Sequence, residues 1–158
     1  MVEVPSLGAR GGGWVALQFA LLAAILGVGL LGPAWSDGLR WWLKGAGVVL
    51  VFLGAFVIVK AARVLGSGLT PFPEPAEDAR LVDDGPYAVV RHPFYSGGLL
   101  FAAGISLALS PWALVATAVL AVVWALKATV EERFLVHRYP EYAEYRTRTR
   151  YRLVPYVY

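Results

Sequence analysis

The chain of 158 residues contains no cysteine, which excludes disulfides, thiolate metal sites and cysteine nucleophiles. Charge is also scarce, because Asp, Glu, Lys and Arg make up only 16% of the residues. A soluble domain usually carries about a quarter charged residues. Hydrophobic residues reach 58% and the mean hydropathy is +0.60. We therefore expect an integral membrane protein, and its six Trp and eight Tyr residues suit the two membrane–water interfaces.

Four apolar segments organise the chain, at residues 14–35, 41–65, 95–109 and 112–130. A spanning helix needs about 20 apolar residues, within a range of roughly 17–25, so only the third segment is short. The pattern predicts an all-α polytopic membrane protein with about four transmembrane helices and a cytoplasmic C-terminal helical segment. We expect a single domain over residues 1–158. Residues 1–65 would supply two scaffold helices, and residues 66–158 the catalytic loop, a helical hairpin and the C-terminal segment.

Local signals mark the joints between these segments. Residues 36–38 read as a polar turn, and Pro93 and Pro111 suit the first turn of the third and fourth helices. The fourth helix is expected to continue past residue 130 and to break at Pro140. The Gly32-Pro33 pair does not resemble a small-x-small cleavage site, so we do not expect the first segment to be a cleaved signal peptide.

Basic residues indicate the orientation. Six of the fourteen follow the last apolar segment: Arg133, Arg138, Arg146, Arg148, Arg150 and Arg152. This basic flank is expected on the cytoplasmic side, as an anchor to anionic lipid rather than a nucleic-acid site. With four spans, both termini and the loop at residues 66–92 then share the cytoplasmic face and would build one site.

A first polar cluster is formed by Arg91 and His92, directly before Pro93. Free N–H groups at a helix N-terminus favour a carboxylate or phosphate. Gly97 and Gly98 would let a neighbouring helix or a flat ligand approach closely. Alternatively, Arg91 is an interface anchor and His92 a helix cap.

A second cluster, Lys127, Glu131 and Glu132, ends the fourth helix. Lys127 and Glu131 are four residues apart, so they share a face and can pair. Alternatively, Lys127 extends to the interface and the carboxylates are solvated. No His or third acid follows at helical ligand spacing, so we do not expect a metal site.

Together the two clusters form a more specific pattern. This pattern comprises Gly85-Pro86-Tyr87, Arg91-His92-Pro93-x-Tyr95-x-Gly97, Glu131-Glu132-x-x-Leu135 and Tyr142-x-x-Tyr145-Arg146. Over roughly residues 80–155 it resembles the isoprenylcysteine carboxyl methyltransferase family and the related phospholipid methyltransferases.

The resemblance implies a small helical membrane enzyme that binds S-adenosylmethionine without a Rossmann domain, and the chain has no glycine-rich strand–turn–helix pattern. The cofactor-binding residues implied are Leu81, Val82, Tyr87, His92, Pro93, Phe94, Tyr95 and Glu131. Lys127 falls where the family places a basic residue that meets the substrate. The prenylcysteine enzymes usually have Arg there, and Lys loses the planar fork that binds a carboxylate, which favours another acceptor over a prenylcysteine carboxylate. Tyr139-Pro140 also departs from the aromatic-glycine pair of many relatives.

The implied chemistry assigns roles to these side chains. Glu131 would meet the cofactor's ammonium or ribose, and His92 its carboxylate. The aromatic rings would face the sulfonium or the adenine. The candidate catalytic residues are Arg91, His92 and Glu132. A carboxylate acceptor needs no general base, whereas a protonated amine needs one, for which His92 or Glu132 are the candidates.

Three functions remain open at this point. The first is methylation of a lipid-like carboxylate of the isoprenylcysteine type, with the substrate entering sideways from the bilayer. The second is methylation of a phospholipid amine or another small hydrophobic acceptor. The third is a membrane NADPH reductase-like or non-catalytic protein. Membrane lipids are expected neighbours in each case, and the sequence does not indicate the oligomeric state.

Overall fold

The computed structural model describes residues 4–157, which form five α-helices and no β-strand. These are α1 (Gly12–Leu31), α2 (Asp37–Leu65), α3 (Pro93–Leu109), α4 (Pro111–Arg138) and α5 (Tyr142–Arg148). Short 3-10 turns lie at Gly66–Gly68 and Gly85–Ala88, in the long connection between α2 and α3. The predicted all-α architecture is therefore confirmed.

Three helices in residues 4–157 are long and apolar enough to cross a membrane. They are α1, α2 together with the following 3-10 turn (Asp37–Gly68), and α4. Helix α3 is apolar but has 17 residues, about 26 Å at 1.5 Å per residue. That length is at the lower limit for a spanning helix, so the fourth span remains a prediction.

Prolines set several helix ends. Pro93 and Pro111 occupy the first helical positions of α3 and α4, as predicted. Helix α1 ends at Leu31, because Gly32 before Pro33 is extended at ψ 173°, so the last residues of the apolar segment 14–35 lie outside the helix. The predicted turn at residues 36–38 is misplaced, because α2 already begins at Asp37 and the connection is residues 32–36. Helix α4 continues to Arg138 and the chain breaks around residues 139–141, which confirms the predicted extension and break.

Four glycines, seven residues apart on each helix, form the contact between α2 and α3. Gly47 lies against Gly104 and Gly54 lies against Gly97, and we call this contact the glycine seam. A Cβ atom at Gly54 would lie 2.5 Å from the backbone nitrogen of Phe101. Seven residues is close to two helical turns, so each pair of glycines shares one face. The seam confirms the close helix approach predicted at Gly97, and it fixes α3 against the scaffold.

The side of α3 that faces away from the glycine seam packs on α4, as does the face of α1 that carries Ile25. The buried residues there are Ile25, Ala102, Ala113, Leu120 and Trp124. At one end of the bundle the Ser110 hydroxyl donates to the carbonyl of Pro33 at 2.8 Å and ties the two short connections together. The other end, where α2 ends and α3 begins, holds the long connection and the end of α4. We call it the site end.

Candidate active site

Both predicted clusters lie at the site end. Arg91 and His92 precede α3, while Glu131 and Glu132 lie near the end of α4. Adjacent helical residues point about 100° apart, so the two carboxylates face different surroundings. The Glu132 side chain is 4% exposed, whereas that of Glu131 is 26% exposed.

Glu132 is the centre of a buried ion cluster. It accepts from Arg91 Nε at 2.8 Å and from Arg152 Nη2 at 2.9 Å, and His92 Nε2 lies 3.3 Å from its Oε1 atom. We call these four residues the Glu132 cluster. Burying a carboxylate is costly unless donors replace its water, and two guanidinium groups do so here. The three predicted catalytic residues are thus brought together, but their side chains bind one another.

Residues 149–153, which we call the strap, lie across the start of α3. The backbone N–H groups of Arg91 and His92 donate to the carbonyls of Tyr151 and Arg152, each at 2.9 Å. Arg91 Nη1 also donates to the carbonyls of Thr149 and Arg150, at 2.7 and 2.6 Å. Strap carbonyls therefore occupy the N–H groups of these two residues, and an anion site on the N–H groups within the first turn of α3 stays a prediction.

Glu131 is oriented by an aromatic stack. The Tyr95 hydroxyl donates to Glu131 Oε2 at 2.7 Å, and His92 Nδ1 lies 3.8 Å from Oε1. The Tyr95 ring stacks on His92 and on Trp124, with centroids 5.5 and 5.2 Å apart. A carboxylate is thus held in place while about a quarter of its side chain stays exposed.

Two adjoining clefts meet at Tyr87 and Glu131. The main cleft is lined by Leu81, Val82, Tyr87, Arg91, Glu131, Leu135, Tyr139, Tyr142 and Tyr145, together with parts of the segment at residues 65–80. The side cleft is lined by Leu65, Leu69, Thr70, Tyr87, His92, Phe94, Tyr95 and Glu131. Seven of the eight residues predicted to bind the cofactor therefore line one or both clefts. Pro93 lines neither, because it is fully buried at the start of α3.

The clefts are small in this structure, about 80 and 40 Å³. Small-molecule pockets usually measure roughly 300–1,000 Å³. The segment at residues 66–82 supplies much of the lining of the main cleft, and a nucleoside would need more room than the clefts have here. That segment is held by side chains of α4 and its C-cap, such as the Tyr139 hydroxyl, which donates to the Ala79 carbonyl at 2.5 Å.

Three buried tyrosines line the main cleft: Tyr87, Tyr142 and Tyr145. Burial raises the pKa of each above its ordinary value of 10.0, so each remains a neutral donor at neutral pH. The Tyr145 hydroxyl donates to the Tyr87 carbonyl at 2.8 Å. The Tyr142 hydroxyl is one of two buried side-chain polar atoms without a hydrogen-bond partner in residues 4–157. Tyr142 lies outside the predicted cofactor set, although it belongs to the Tyr142-x-x-Tyr145 pattern that carried the resemblance.

Lys127 lies beside this site and is 1% exposed. Its Nζ donates to Gln18 Oε1 at 2.5 Å and to the Pro71 carbonyl at 2.7 Å, and it lies 5.3 Å from the Tyr95 ring centroid. The ion pairs within residues 4–157 do not include the expected one with Glu131, because Lys127 turns toward α1 and Glu131 bonds to Tyr95. Gln18 thus gives α1 a contact beyond its predicted scaffold role.

Across residues 4–157, no three His, Asp or Glu side chains are grouped so that they could hold a metal ion. The chemistry offered by the two clefts is instead a carboxylate, aromatic faces and neutral phenol donors. These groups suit an organic cation more than a metal.

Comparison with known proteins finds one matching family model and several similar curated proteins. The model of the phospholipid methyltransferase family matches residues 42–142, more than half of the chain. Protein-S-isoprenylcysteine O-methyltransferase B of Arabidopsis thaliana is 32% identical over 115 residues, which cover 66% of this chain and 57% of that protein. Its counterpart A is 33% identical over the same length and coverage. Cobalt-zinc-cadmium resistance protein CzcN of Cupriavidus metallidurans is 42% identical over 73 residues, which cover 44% of this chain and 33% of that protein. The matches thus span just over half of the plant proteins and a third of the bacterial one.

Proposed function

The chain belongs to the phospholipid methyltransferase family, and on that premise we propose that it transfers a methyl group from S-adenosylmethionine to a lipid-like acceptor. One observation carries the proposal. Glu131 is a partly exposed carboxylate, oriented by the Tyr95 hydroxyl at 2.7 Å, where two tyrosine-lined clefts meet.

The residues at these clefts fit the cofactor. Glu131 would accept from its ammonium or from a ribose hydroxyl. The ring of Tyr87 would face positive charge, which is worth about 0.5–2 kcal/mol for a cation over an aromatic ring. The buried Tyr142 hydroxyl lacks a partner within the described chain, so it would donate to the nucleoside or to the cofactor's carboxylate. When bound, S-adenosylmethionine supplies an electrophilic methyl group and keeps the electron pair of the broken C–S bond on sulfur.

Lys127 lacks the guanidinium fork, but its burial beside the site supports a carboxylate as the acceptor, and the plant relatives are named isoprenylcysteine O-methyltransferases. Its ammonium is buried close to Tyr95, and the ion pairs within residues 4–157 give it no carboxylate partner. A negatively charged acceptor would be attracted there, whereas the ammonium of a phospholipid headgroup would be repelled. A carboxylate is ionised at neutral pH, so the transfer requires no general base.

Arg91 and Glu132 then act by positioning. Arg91 holds the strap, and Glu132 joins Arg91, Arg152 and His92 into one unit. This unit fixes the ring of His92, on which Tyr95 stacks. Neither residue needs to touch the reacting atoms. The chain's main task is to align the acceptor with the methyl group and exclude water, for which near-attack geometry is worth roughly 7–11 kcal/mol.

In the membrane, α3 would form a fourth and short span, with the site and both termini on the cytoplasmic side. The basic residues of the C-terminal segment support this orientation. Helix α2 exposes Trp41, Phe52 and Phe56, which suit contact with lipid. The apolar part of the acceptor would enter between helices from the bilayer, so it never has to cross water.

Calorimetry on detergent-purified protein tests the proposal. We expect wild type to bind S-adenosylmethionine, and Glu131→Gln to weaken binding about 10–150-fold because a charge-assisted bond is lost. Tyr142→Phe should weaken it about 2–12-fold. Glu77→Gln is the matched control, since Glu77 is exposed and its side chain is not among the groups lining the main cleft.

The acceptor class is tested with radiolabelled methyl groups. Label should enter N-acetyl-S-farnesylcysteine as a base-labile ester. Label in extracted phosphatidylethanolamine instead would identify an amine acceptor. Folded wild type that binds no S-adenosylmethionine would refute methyl transfer, and NADPH would be the next ligand to test.

A further inference from the structure

Gln18 is the one amide or charged side chain in helix α1. It is 8% exposed, and it lies outside residues 42–142, where the family model matches. A polar group in a membrane helix is costly unless another group satisfies it. Its placement therefore requires a partner, and the structure supplies two.

The orientation of the Gln18 amide is fixed by these partners. Its Oε1 atom accepts from Lys127 Nζ at 2.5 Å and from Trp124 Nε1 at 3.2 Å. An ammonium and an indole N–H only donate, so the amide must present its oxygen and not its nitrogen. Trp124 also stacks on Tyr95, which holds Glu131. Gln18 thus connects α1 with the residues around the two clefts.

The two oxygen atoms that accept from Lys127 lie on different parts of the chain, one on a helix and one on a connection between helices. Gln18 belongs to α1, which packs along α4. The Pro71 carbonyl belongs to the connection between α2 and α3, between the cleft-lining residues Thr70 and Phe72. A displacement of this connection on ligand binding would cost Lys127 one oxygen partner and leave the other. A carboxylate oxygen can then take the vacated position, and the charge of Lys127 favours an anion over a neutral carbonyl.

We propose that Gln18 is a positioning residue for the methyl acceptor, which it serves by holding the ammonium of Lys127 while an acceptor carboxylate replaces the Pro71 carbonyl. This inference rests on the proposed methyl transfer and on a carboxylate acceptor. It gives the first helix a part in acceptor recognition, through a residue that the family model does not cover.

Steady-state kinetics with N-acetyl-S-farnesylcysteine, together with calorimetry for S-adenosylmethionine, test the inference. Gln18→Leu keeps the size and removes the acceptor oxygen. We expect its KM for the carboxylate to rise about tenfold or more, the cost of a lost bond to a charged group. Its affinity for S-adenosylmethionine should stay within about twofold of wild type, which also reports a folded protein.

Two further variants separate positioning from a general structural effect. Gln18→Glu keeps the oxygen but neutralises Lys127, so KM should rise while the fold is retained. If Gln18 acts through Lys127, the double variant Gln18→Leu/Lys127→Met should have the same KM as Lys127→Met alone. Leu17→Ala, at the neighbouring lipid-exposed position, is the control and should leave KM unchanged.

The possible failures are distinguishable. If wild type does not bind S-adenosylmethionine, the proposed function fails. If it binds the cofactor but leaves the carboxylate unmethylated, the acceptor class and the role of Gln18 are both refuted. If it methylates the carboxylate and the Gln18 variants keep the wild-type KM, only the role of Gln18 is refuted.

Discussion

The same substitution to Gln should lower the stability of the protein at Glu132 but its affinity for S-adenosylmethionine at Glu131. Glu132→Gln replaces a carboxylate that accepts from Arg91 at 2.8 Å and from Arg152 at 2.9 Å. The new amide would present an N–H₂ group to guanidinium donors and leave buried positive charge uncompensated. Breaking a buried pair costs about 3–5 kcal/mol. For a chain of this size that corresponds to a melting midpoint lower by about 6–20 °C.

Glu131→Gln should behave differently. Glu131 accepts one bond, from the Tyr95 hydroxyl, and a glutamine oxygen can still accept it. The free energy of unfolding should therefore change by no more than about 1 kcal/mol, while cofactor affinity falls.

Two measurements on each variant separate these effects: the thermal midpoint in detergent and the dissociation constant for S-adenosylmethionine. Glu77→Gln serves again as the exposed control. If Glu132→Gln kept the wild-type midpoint but lost the cofactor, Glu132 would be a cofactor ligand, and the division between a binding and a positioning carboxylate would be incorrect.

Two further predictions concern stability. Gly54→Ala should destabilise the fold by about 1–3 kcal/mol, because the new Cβ would meet backbone atoms of α3. Gly45→Ala is the control, since a Cβ there has no neighbour within 4 Å and should not destabilise the fold. Equal thermal midpoints for the two variants would contradict the glycine seam. Stability should also fall above about pH 10, by up to about 1.4 kcal/mol per pH unit for each buried tyrosine of the main cleft. Their raised pKa values mean that the unfolded state loses protons first, so a midpoint that is constant from about pH 9 to 11 would contradict the burial of these phenols.

Local signals allowed much of the fold to be predicted. Pro93 and Pro111 begin helices because a proline at the first position costs no hydrogen bond, and a long apolar run indicates a helix by itself. The end of α1 was harder to place, because Ala34 and Trp35, which follow Pro33, are still apolar. The hydrophobic run there extends beyond the helix.

The candidate site was predictable as a set of residues but not as an arrangement. The two motifs place Glu131 and Glu132 near Arg91 and His92. Which carboxylate faces the clefts depends on the rotation of α4, and that is set by packing around Trp124. The strap pairs residues about sixty positions apart, and no local pattern encodes such a pairing.

Gln18 had a weaker signal in the sequence. Its isolation within an apolar run suggests a partner but does not identify one. The partner is 109 residues away, on α4. Only the packing of α1 on α4 shows that this amide reaches Lys127.

The strap also affects the order in which the growing chain can fold. Arg91 is made 59 residues before the Arg150 carbonyl to which it donates, and 41 residues before Glu132. At about 5–20 residues per second, those partners follow after roughly 3–12 s and 2–8 s. Until then the guanidinium has neither its counter-ion nor its carbonyls, and burying it would be costly. Burial of the start of α3 is therefore expected only once residues 149–153 are available to supply these carbonyls.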